Sequence, residues 1–277
     1  MTITARTTFA SLALVAATTF AAPLATPVLA AEAVTYLLPA PASLPAFGPW
    51  MVAKARGYYA DEGLDVTFQA AKGGVDVAKQ VGAGNAPVGG AIGDTPILVR
   101  TNGVPVKAVA VLGGHSLTQL VLDTSKVKSI KELKGKTVTT MAYQDTTYFS
   151  LLGMLASQGM SKDDVNAQAV GPVNVWKLFA AGQADAMAAV PDWIQFATAQ
   201  NKDLKIEIIP SDTHFKSMAQ AIIASDETIA KNPELVKKLV RATLKGMKAI
   251  MDDPAAAAVD YVKAVPENAG REAAMTE

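Results

Sequence analysis

The sequence has little of the side-chain chemistry that metal sites and many catalytic sites need. Among its 277 residues there is no cysteine, and there are two histidines. The missing cysteine excludes disulfides, cysteine-ligated zinc, iron–sulfur clusters and thiol catalysis. His115 and His214 are too few for a multi-histidine metal site, and no spacing of carboxylates supplements them. We therefore expect neither a metal nor a cofactor.

Charge is also scarce, and it is balanced. Lys+Arg and Asp+Glu are 25 each, charged residues make up 18% of the chain, and hydrophobic residues make up 50%. Balanced charge gives no general attraction to nucleic acid or to an anionic membrane, and the apolar content excludes a disordered chain. Gly-x-Ser-x-Gly, Walker A and HExxH patterns do not occur. The sequence thus predicts a globular protein that binds no nucleic acid and is not an enzyme.

Residues 1–30 have the three regions of a secretory signal. Arg6 gives the start one positive charge, residues 9–22 are apolar and uncharged, and Val28 and Ala30 place small side chains before a cut at Ala31. The alternative is an N-terminal core helix. No cysteine follows the cut, so a bacterial lipid anchor is excluded. We expect an exported, periplasmic protein.

The rest of the chain alternates strand-like and helix-like stretches, which predicts α/β layers with largely parallel sheets. The alternation restarts near residue 136, and a shift of 98 positions places residues 73–96 over 171–194 with nine of 24 identities, including Asp94 over Asp192. A chance match between alanine-rich segments is the alternative. We interpret the repeat as two similar lobes, with lobe 1 at residues 31–118 and 225–277 and lobe 2 at residues 119–224. Because ligands bind at the carboxyl ends of strands in open α/β sheets, two facing lobes predict a cleft.

Several segments resemble one family in their order along the chain. Residues 53–66 (AKARGYYADEGLDV) are similar to its "A…GyF…eGLdV" signature, and the Gly73-Gly74 loop, residues 129–136 and residues 232–253 fit its pattern. The family is the periplasmic substrate-binding proteins of ABC importers for nitrate, sulfonates, taurine and thiamine-precursor pyrimidines. The resemblance covers residues 34–260. Against this family the C-terminus is short, so we expect a final segment to be missing.

The resemblance implies a two-lobed periplasmic-binding-protein fold of type II topology with one ligand cleft. It implies a monomer that captures a small organic solute by hinged closure and delivers it to the membrane subunits of an ABC permease. A binding protein that hands its ligand to a regulator would have the same sequence features. The eukaryotic pyrimidine-precursor synthases share this fold, but they carry a cysteine-rich segment that this chain lacks.

Candidate ligand-binding residues lie where loops lead into helices, because helix N-termini offer unpaired N–H groups. Aspartates there are also ordinary helix caps, the glycine pair is also an ordinary turn, and the aromatic residues also suit a core. The aspartates and aromatic rings, with few basic groups nearby, favour a neutral or cationic heteroaromatic ring such as a pyrimidine over a sulfonate or nitrate. The predicted contacts are Ser43, Phe47, Gly73, Gly74, Asp94, Thr95, His115, Tyr143, Asp145, Thr146, Tyr148, Asp192 and Trp193.

Overall fold

The computed structural model describes residues 1–2 and 30–276, so the predicted secretory signal lies outside the described residues. Residues Ala31–Glu277 form one compact unit. None of the helices in the described part combines the length and the apolar character needed to cross a membrane. The strands are β1 Glu32–Leu38, β2 Leu64–Ala70, β3 Val88–Ile92, β4 Val106–Val111, β5 Gln119–Asp123, β6 Thr137–Thr140, β7 Asn166–Ala169, β8 Ala186–Ala189, β9 Ile206–Pro210 and β10 Gln220–Ser225. The helices are α1 Gly48–Ala55, α2 Tyr58–Asp61, α3 Gly74–Gly82, α4 Thr95–Arg100, α5 Thr146–Ser157, α6 Pro172–Ala180, α7 Pro191–Gln200, α8 Asp226–Lys231, α9 Pro233–Asp252, α10 Pro254–Ala264 and α11 Glu272–Thr276.

The strands form two five-stranded sheets with the same topology. Their orders are β2-β1-β3-β10-β4 and β7-β6-β8-β5-β9. The predicted α/β class with two lobes is confirmed, but the sheets are mixed and not largely parallel. In each sheet one strand, β10 or β5, arrives from the other lobe and pairs antiparallel with both neighbours. A strand that arrives from the other lobe runs antiparallel to its neighbours in the sheet. The hydrophobic pattern of the sequence does not reveal that direction.

The sequence repeat corresponds to a repeated structural unit. Gly73 and Gly171 precede α3 and α6 with nearly the same backbone conformation, φ 101° and ψ 167° against φ 79° and ψ 164°. Each helix ends in a turn around a glycine, Gly84 or Gly182, with matching backbone hydrogen bonds. The strand after each turn, β3 or β8, occupies the same place in its sheet. The match at a shift of 98 residues is therefore structural and not an effect of alanine content.

Helices cover both sheets, and lobe 1 contains the larger described hydrophobic cluster. That cluster joins β1, α1, α9 and α10. Gly246 of α9 lies against α1 so closely that a Cβ atom there would stand 2.1 Å from the carbonyl oxygen of Pro49. Asn232 caps α9, Asp253 caps α10, and each helix begins with proline. The C-terminal helices thus return to lobe 1, as the sequence predicts.

Two segments cross between the lobes, residues 112–118 and residues 211–219. Their hydroxyl groups bond to one another, with 2.5 Å between Ser116 Oγ and Ser211 Oγ and 2.7 Å between Thr118 Oγ1 and Ser211 Oγ. The boundary predicted at 224/225 needs a correction, because β10 from Gln220 onward already belongs to the first sheet. The other lobe boundaries stay predictions.

Candidate functional site

A mainly apolar cavity of about 60 Å³ lies between the two sheets. Its walls come from both lobes and include residues at or just after the carboxyl ends of β1 and β3 in lobe 1 and of β6 and β8 in lobe 2, where ligands bind in α/β sheets. Leu117 and Gln220, at the ends of the two crossing segments, complete it. The lining residues are Pro39, Ala40, Leu44, Ala46, Phe47, Gly74, Ala91, Ile92, Leu117, Met141, Asp145, Thr146, Thr147, Val190, Asp192, Trp193 and Gln220.

Asp192 is the most unusual polar group in this cavity. It is the second residue of α7, its side chain is 8% exposed, and neither carboxylate oxygen has a hydrogen-bonding partner among the described residues. Burial raises the pKa of the Asp192 carboxyl to about 6, although the backbone N–H groups of Asp192, Trp193 and Ala46 oppose the shift. Those N–H groups do not reach hydrogen-bonding geometry. A buried carboxylate without a donor is costly, and donors from a ligand would relieve that cost.

Two aromatic residues, one from each lobe, belong to the lining. Phe47 belongs to the core of lobe 1 and meets Trp50 edge-on, with 6.3 Å between ring centroids. Trp193 belongs to a core cluster of lobe 2, is 3% exposed, and its Nε1 has no partner among the described residues. The walls thus offer ring surfaces, and the indole N–H is a free donor.

Asp145 joins the lobes next to this cavity. Its Oδ1 accepts from the backbone N–H and the hydroxyl of Thr147, at 2.9 and 2.6 Å, which makes it the N-cap of α5. Its Oδ2 accepts from the backbone N–H of Gly74 in lobe 1, at 3.3 Å. Beside it, the hydroxyls of Thr95 and Thr146 are bonded across the cleft at 2.6 Å. The two lobes are therefore in direct polar contact at the start of α3, α4 and α5.

The structure brings six of the predicted contact residues together in the lining. They are Phe47, Gly74, Asp145, Thr146, Asp192 and Trp193. Asp145 is an N-cap, as its residue type predicts, but it is not a cap alone, because it also bonds to the other lobe. The interpretation as a plain cap is wrong for Asp192, which follows the start of α7 and makes no capping bond. It is also wrong for Asp94, whose carboxylate accepts from the Ser217 hydroxyl at 2.5 Å and from Met218 N–H at 3.1 Å.

The remaining predicted residues lie outside the lining. Gly73 and Thr95 adjoin it, and the carbonyl of Ser43 accepts from Asn268 Nδ2 at 2.8 Å. The side chain of His115 is 95% exposed, with Nδ1 3.5 Å from Asp212 Oδ2. Tyr143 is exposed and donates to the carbonyl of Ala167, while Tyr148 packs on the core of lobe 2. Seven predicted residues, including Asp94, therefore lie outside the lining: Ser43, Gly73, Asp94, Thr95, His115, Tyr143 and Tyr148.

Sequence reasoning missed most of the apolar walls and one polar group. Pro39, Leu44, Met141 and Val190 line the cavity, yet apolar residues after strands look like any core position. Gln220 was also missed, because it lies at the start of β10 and its strand was not assigned to lobe 1. The sequence signal that could have identified Gln220 is its position at the end of a segment that crosses between the lobes.

The electrostatic character of the lining is acidic. It contains two carboxylates and no lysine, arginine or histidine among the described residues. Within the same part of the chain, no group of three or more His, Cys, Asp or Glu side chains is arranged to hold a metal ion. The cavity therefore suits a ligand with hydrogen-bond donors and an apolar or aromatic face.

The fold and this site define a class, the periplasmic-binding-protein fold with a cleft between two lobes. The alkanesulfonate-binding protein SsuA from Xanthomonas axonopodis pv. citri has a similar structure, with a TM-score of 0.69, 18% identity, and coverage of 86% of this chain and 80% of that one. The chain belongs to the NMT1/THI5-like family, whose model matches residues 44–257. This confirms the predicted resemblance.

Sequence relatives include both a binding protein and an enzyme. The riboflavin-binding protein RibY of Chloroflexus aurantiacus is 30% identical over 232 residues, which cover 80% of this chain and 63% of RibY. This chain therefore spans less than two thirds of the length of RibY. The 4-amino-5-hydroxymethyl-2-methylpyrimidine phosphate synthase of Aspergillus parasiticus is 25% identical over 235 residues, covering 80% of this chain and 68% of the synthase.

Proposed function

We propose that this protein is a periplasmic solute-binding protein of an ABC importer whose ligand is a small nitrogen heterocycle of the pyrimidine class. One observation carries the ligand class: Asp192 presents a buried carboxylate without a partner to the mainly apolar cavity between the lobes. A ring nitrogen or an exocyclic amine that donates to this carboxylate would satisfy it, and the faces of Phe47 and Trp193 would hold the ring.

The acidic lining argues against the other ligand classes of such importers. Nitrate and unsubstituted alkanesulfonates are negatively charged and have no hydrogen-bond donor, so each would meet Asp192 with repulsion and leave its oxygens unsatisfied. Oxyanion sites are usually built with arginine or lysine, and the described lining has neither.

The cavity size also favours a small ligand. A volume of about 60 Å³ holds roughly four to six water-sized atoms, so a substituted pyrimidine requires the lobes to open a little. A three-ring ligand such as riboflavin would require a much wider opening. The names of the two sequence relatives concern nitrogen heteroaromatics, riboflavin in one and a pyrimidine in the other, and support the ring class.

The proposed transport role rests on the fold and on the two crossing segments. A pair of crossing segments between two lobes permits hinge closure around a solute, and a ligand that contacts both lobes favours the closed form. We propose that lobe 1 is residues 31–118 with 225–277 and that lobe 2 is residues 119–224, with the correction that β10 belongs to the sheet of lobe 1. A monomer exported by residues 1–30 would deliver the ligand to a membrane permease. A protein that delivers its ligand to a sensor would need the same site. The identity of the neighbouring genes, permease or regulator, would distinguish transport from sensing.

A ligand panel on the purified protein tests this proposal. We expect 4-amino-5-hydroxymethyl-2-methylpyrimidine to raise the melting temperature in a concentration-dependent way, because a ligand of the folded state stabilises it by linkage. Nitrate and methanesulfonate should leave the melting temperature unchanged. A shift with an anion and none with the pyrimidine would reject the ligand class while keeping the binding role.

The synthase relatives support a second candidate, a pyrimidine-precursor synthase. The family resemblance implies a cysteine-rich segment in those enzymes, and this chain has no cysteine. We expect the purified protein to bind the pyrimidine and not to synthesise a pyrimidine phosphate. Appearance of 4-amino-5-hydroxymethyl-2-methylpyrimidine phosphate in its presence would support the enzyme instead.

A further inference from the structure

The carboxylate of Asp145 lies between the N-termini of two helices from opposite lobes. It takes the backbone N–H of Thr147 at the start of α5 and the backbone N–H of Gly74 at the start of α3. The side chain is buried, with 5% exposure. Helix N-termini are the places where proteins hold anions, because unpaired N–H groups and the helix dipole converge there. In this cleft an anion that belongs to the chain itself occupies them.

The backbone is shaped to admit this carboxylate. Gly73 has φ +101°, a conformation that other residues rarely adopt. A Cβ atom at Gly73 would stand 3.1 Å from Asp145 Oδ2 and 3.2 Å from the terminal methyl of Met141. Glycine at this position therefore serves the close approach of Asp145 to the start of α3.

The other charged side chain of the cavity lining has the same sign. Asp192 contributes a second carboxylate to the cavity, without a partner. The lining in the described residues offers no basic side chain to offset either of them. A free oxyanion that enters the cleft thus finds two backbone donors already bonded and two negative charges nearby.

We propose that Asp145 is a specificity-determining residue that excludes oxyanions, because its carboxylate takes the backbone donors that such a ligand would use. The proposal deepens the proposed function and rests on the cleft being the ligand site. Removal of this carboxylate frees Gly74 N–H and Thr147 N–H, flanked by the hydroxyls of Thr95 and Thr146, for an anion.

The test uses Asp145→Ser, with Asp253→Ser as the matched control. Serine is itself a good N-cap, so Asp145→Ser removes the charge, keeps α5 capped and frees the N–H of Gly74 for an anion. Asp253 caps α10 through the backbone N–H of Ala256 at 3.0 Å and does not line the cavity. Methanesulfonate and nitrate are titrated into each protein and followed by melting temperature and by calorimetry.

We expect Asp145→Ser to bind methanesulfonate at least about tenfold more tightly than the wild type, the scale of one charge-assisted hydrogen bond. Asp253→Ser should behave as the wild type. A folded Asp145→Ser variant with no gain would overturn the proposal, and so would tight binding of methanesulfonate by the wild type. If Asp145→Ser does not fold, Asp145→Gly decides in the same way, because glycine is tolerated at an N-cap and leaves both backbone N–H groups open to an anion.

Titration of the same proteins with 4-amino-5-hydroxymethyl-2-methylpyrimidine separates the two proposals. A gain of anion binding in Asp145→Ser without pyrimidine binding by the wild type would reject the ligand class and keep the role of Asp145. Pyrimidine binding by the wild type, without a gain of anion binding in Asp145→Ser, would reject the role of Asp145 and keep the ligand class.

Discussion

The hydroxyl of Ser217 donates a 2.5 Å hydrogen bond to Asp94 Oδ2, which ties the second crossing segment to the start of α4 in lobe 1. The same oxygen accepts from the backbone N–H of Met218 at 3.1 Å. Asp94 is equivalent to Asp192 in the sequence repeat, yet it has its partners in the crossing segment while Asp192 has none. The two copies of the repeat have therefore taken different roles.

Asp94→Ala tests the role of this contact at the hinge. We expect the Met218 amide to exchange its hydrogen at least about tenfold faster, because an acceptor worth roughly 1.5–3 kcal/mol is lost. Hydrogen exchange followed by mass spectrometry measures this. Asp212→Ala is the control, since Asp212 accepts from the Ser116 N–H of the other crossing segment at 3.0 Å. Faster exchange at Ser116 in Asp94→Ala and none at Met218 would contradict the assignment.

Asp192→Asn tests the ionisation of the buried carboxyl. In the unfolded chain Asp192 ionises near its ordinary pKa of 3.8, whereas the native protein retains the proton until about pH 6. Ionisation therefore favours the unfolded state as the pH rises through this window. The free energy of unfolding of the wild type minus that of Asp192→Asn should fall by about 2–3 kcal/mol between pH 3.5 and pH 7 and then level off. Denaturant titrations at several pH values measure it, and a difference that rises with pH is incompatible with this account.

Trp193→Phe tests the aromatic wall. The substitution keeps an aromatic face but removes the indole N–H and part of the ring surface that lines the cavity. We expect affinity for the pyrimidine to fall by about tenfold, the scale of one lost hydrogen bond with its packing. Trp176→Phe is the matched control, because Trp176 also has an unpartnered Nε1 among the described residues but does not line the cavity. Equal affinities for the two variants would remove Trp193 from the site.

Gly246→Ala tests the contact between α9 and α1. The added methyl group would lie 2.1 Å from the carbonyl oxygen of Pro49, so the helices must separate. We expect a loss of about 3 kcal/mol or more in the free energy of unfolding, at the upper end of overpacking effects. Gly114→Ala, where no atom lies within 4 Å of the added carbon, should change it by about 0.5 kcal/mol or less. A neutral Gly246→Ala would show that α9 is not fixed against α1.

The sequence predicted the class of fold and part of the cavity because both leave local patterns. Strand and helix periods marked the elements, and the repeat placed Asp192 and Trp193 after a strand that faces the cleft. Two features left no local pattern. The direction of β5 and β10 depends on chain crossing between lobes, and so does the place of Gln220 in the lining. The bond from Gly74 to Asp145 joins residues 71 positions apart, so spacing along the chain carries no information about it.

The most direct test of the proposed function is calorimetric titration of 4-amino-5-hydroxymethyl-2-methylpyrimidine into the wild type and Asp192→Asn at pH 7. We expect one site per chain in the wild type and at least about tenfold weaker binding in the variant, because a hydrogen bond to a charged acceptor is lost. The Asp253→Asn control should bind as the wild type does. Equal affinity in Asp192→Asn and the wild type would contradict the assignment of the buried carboxylate as the ligand's acceptor.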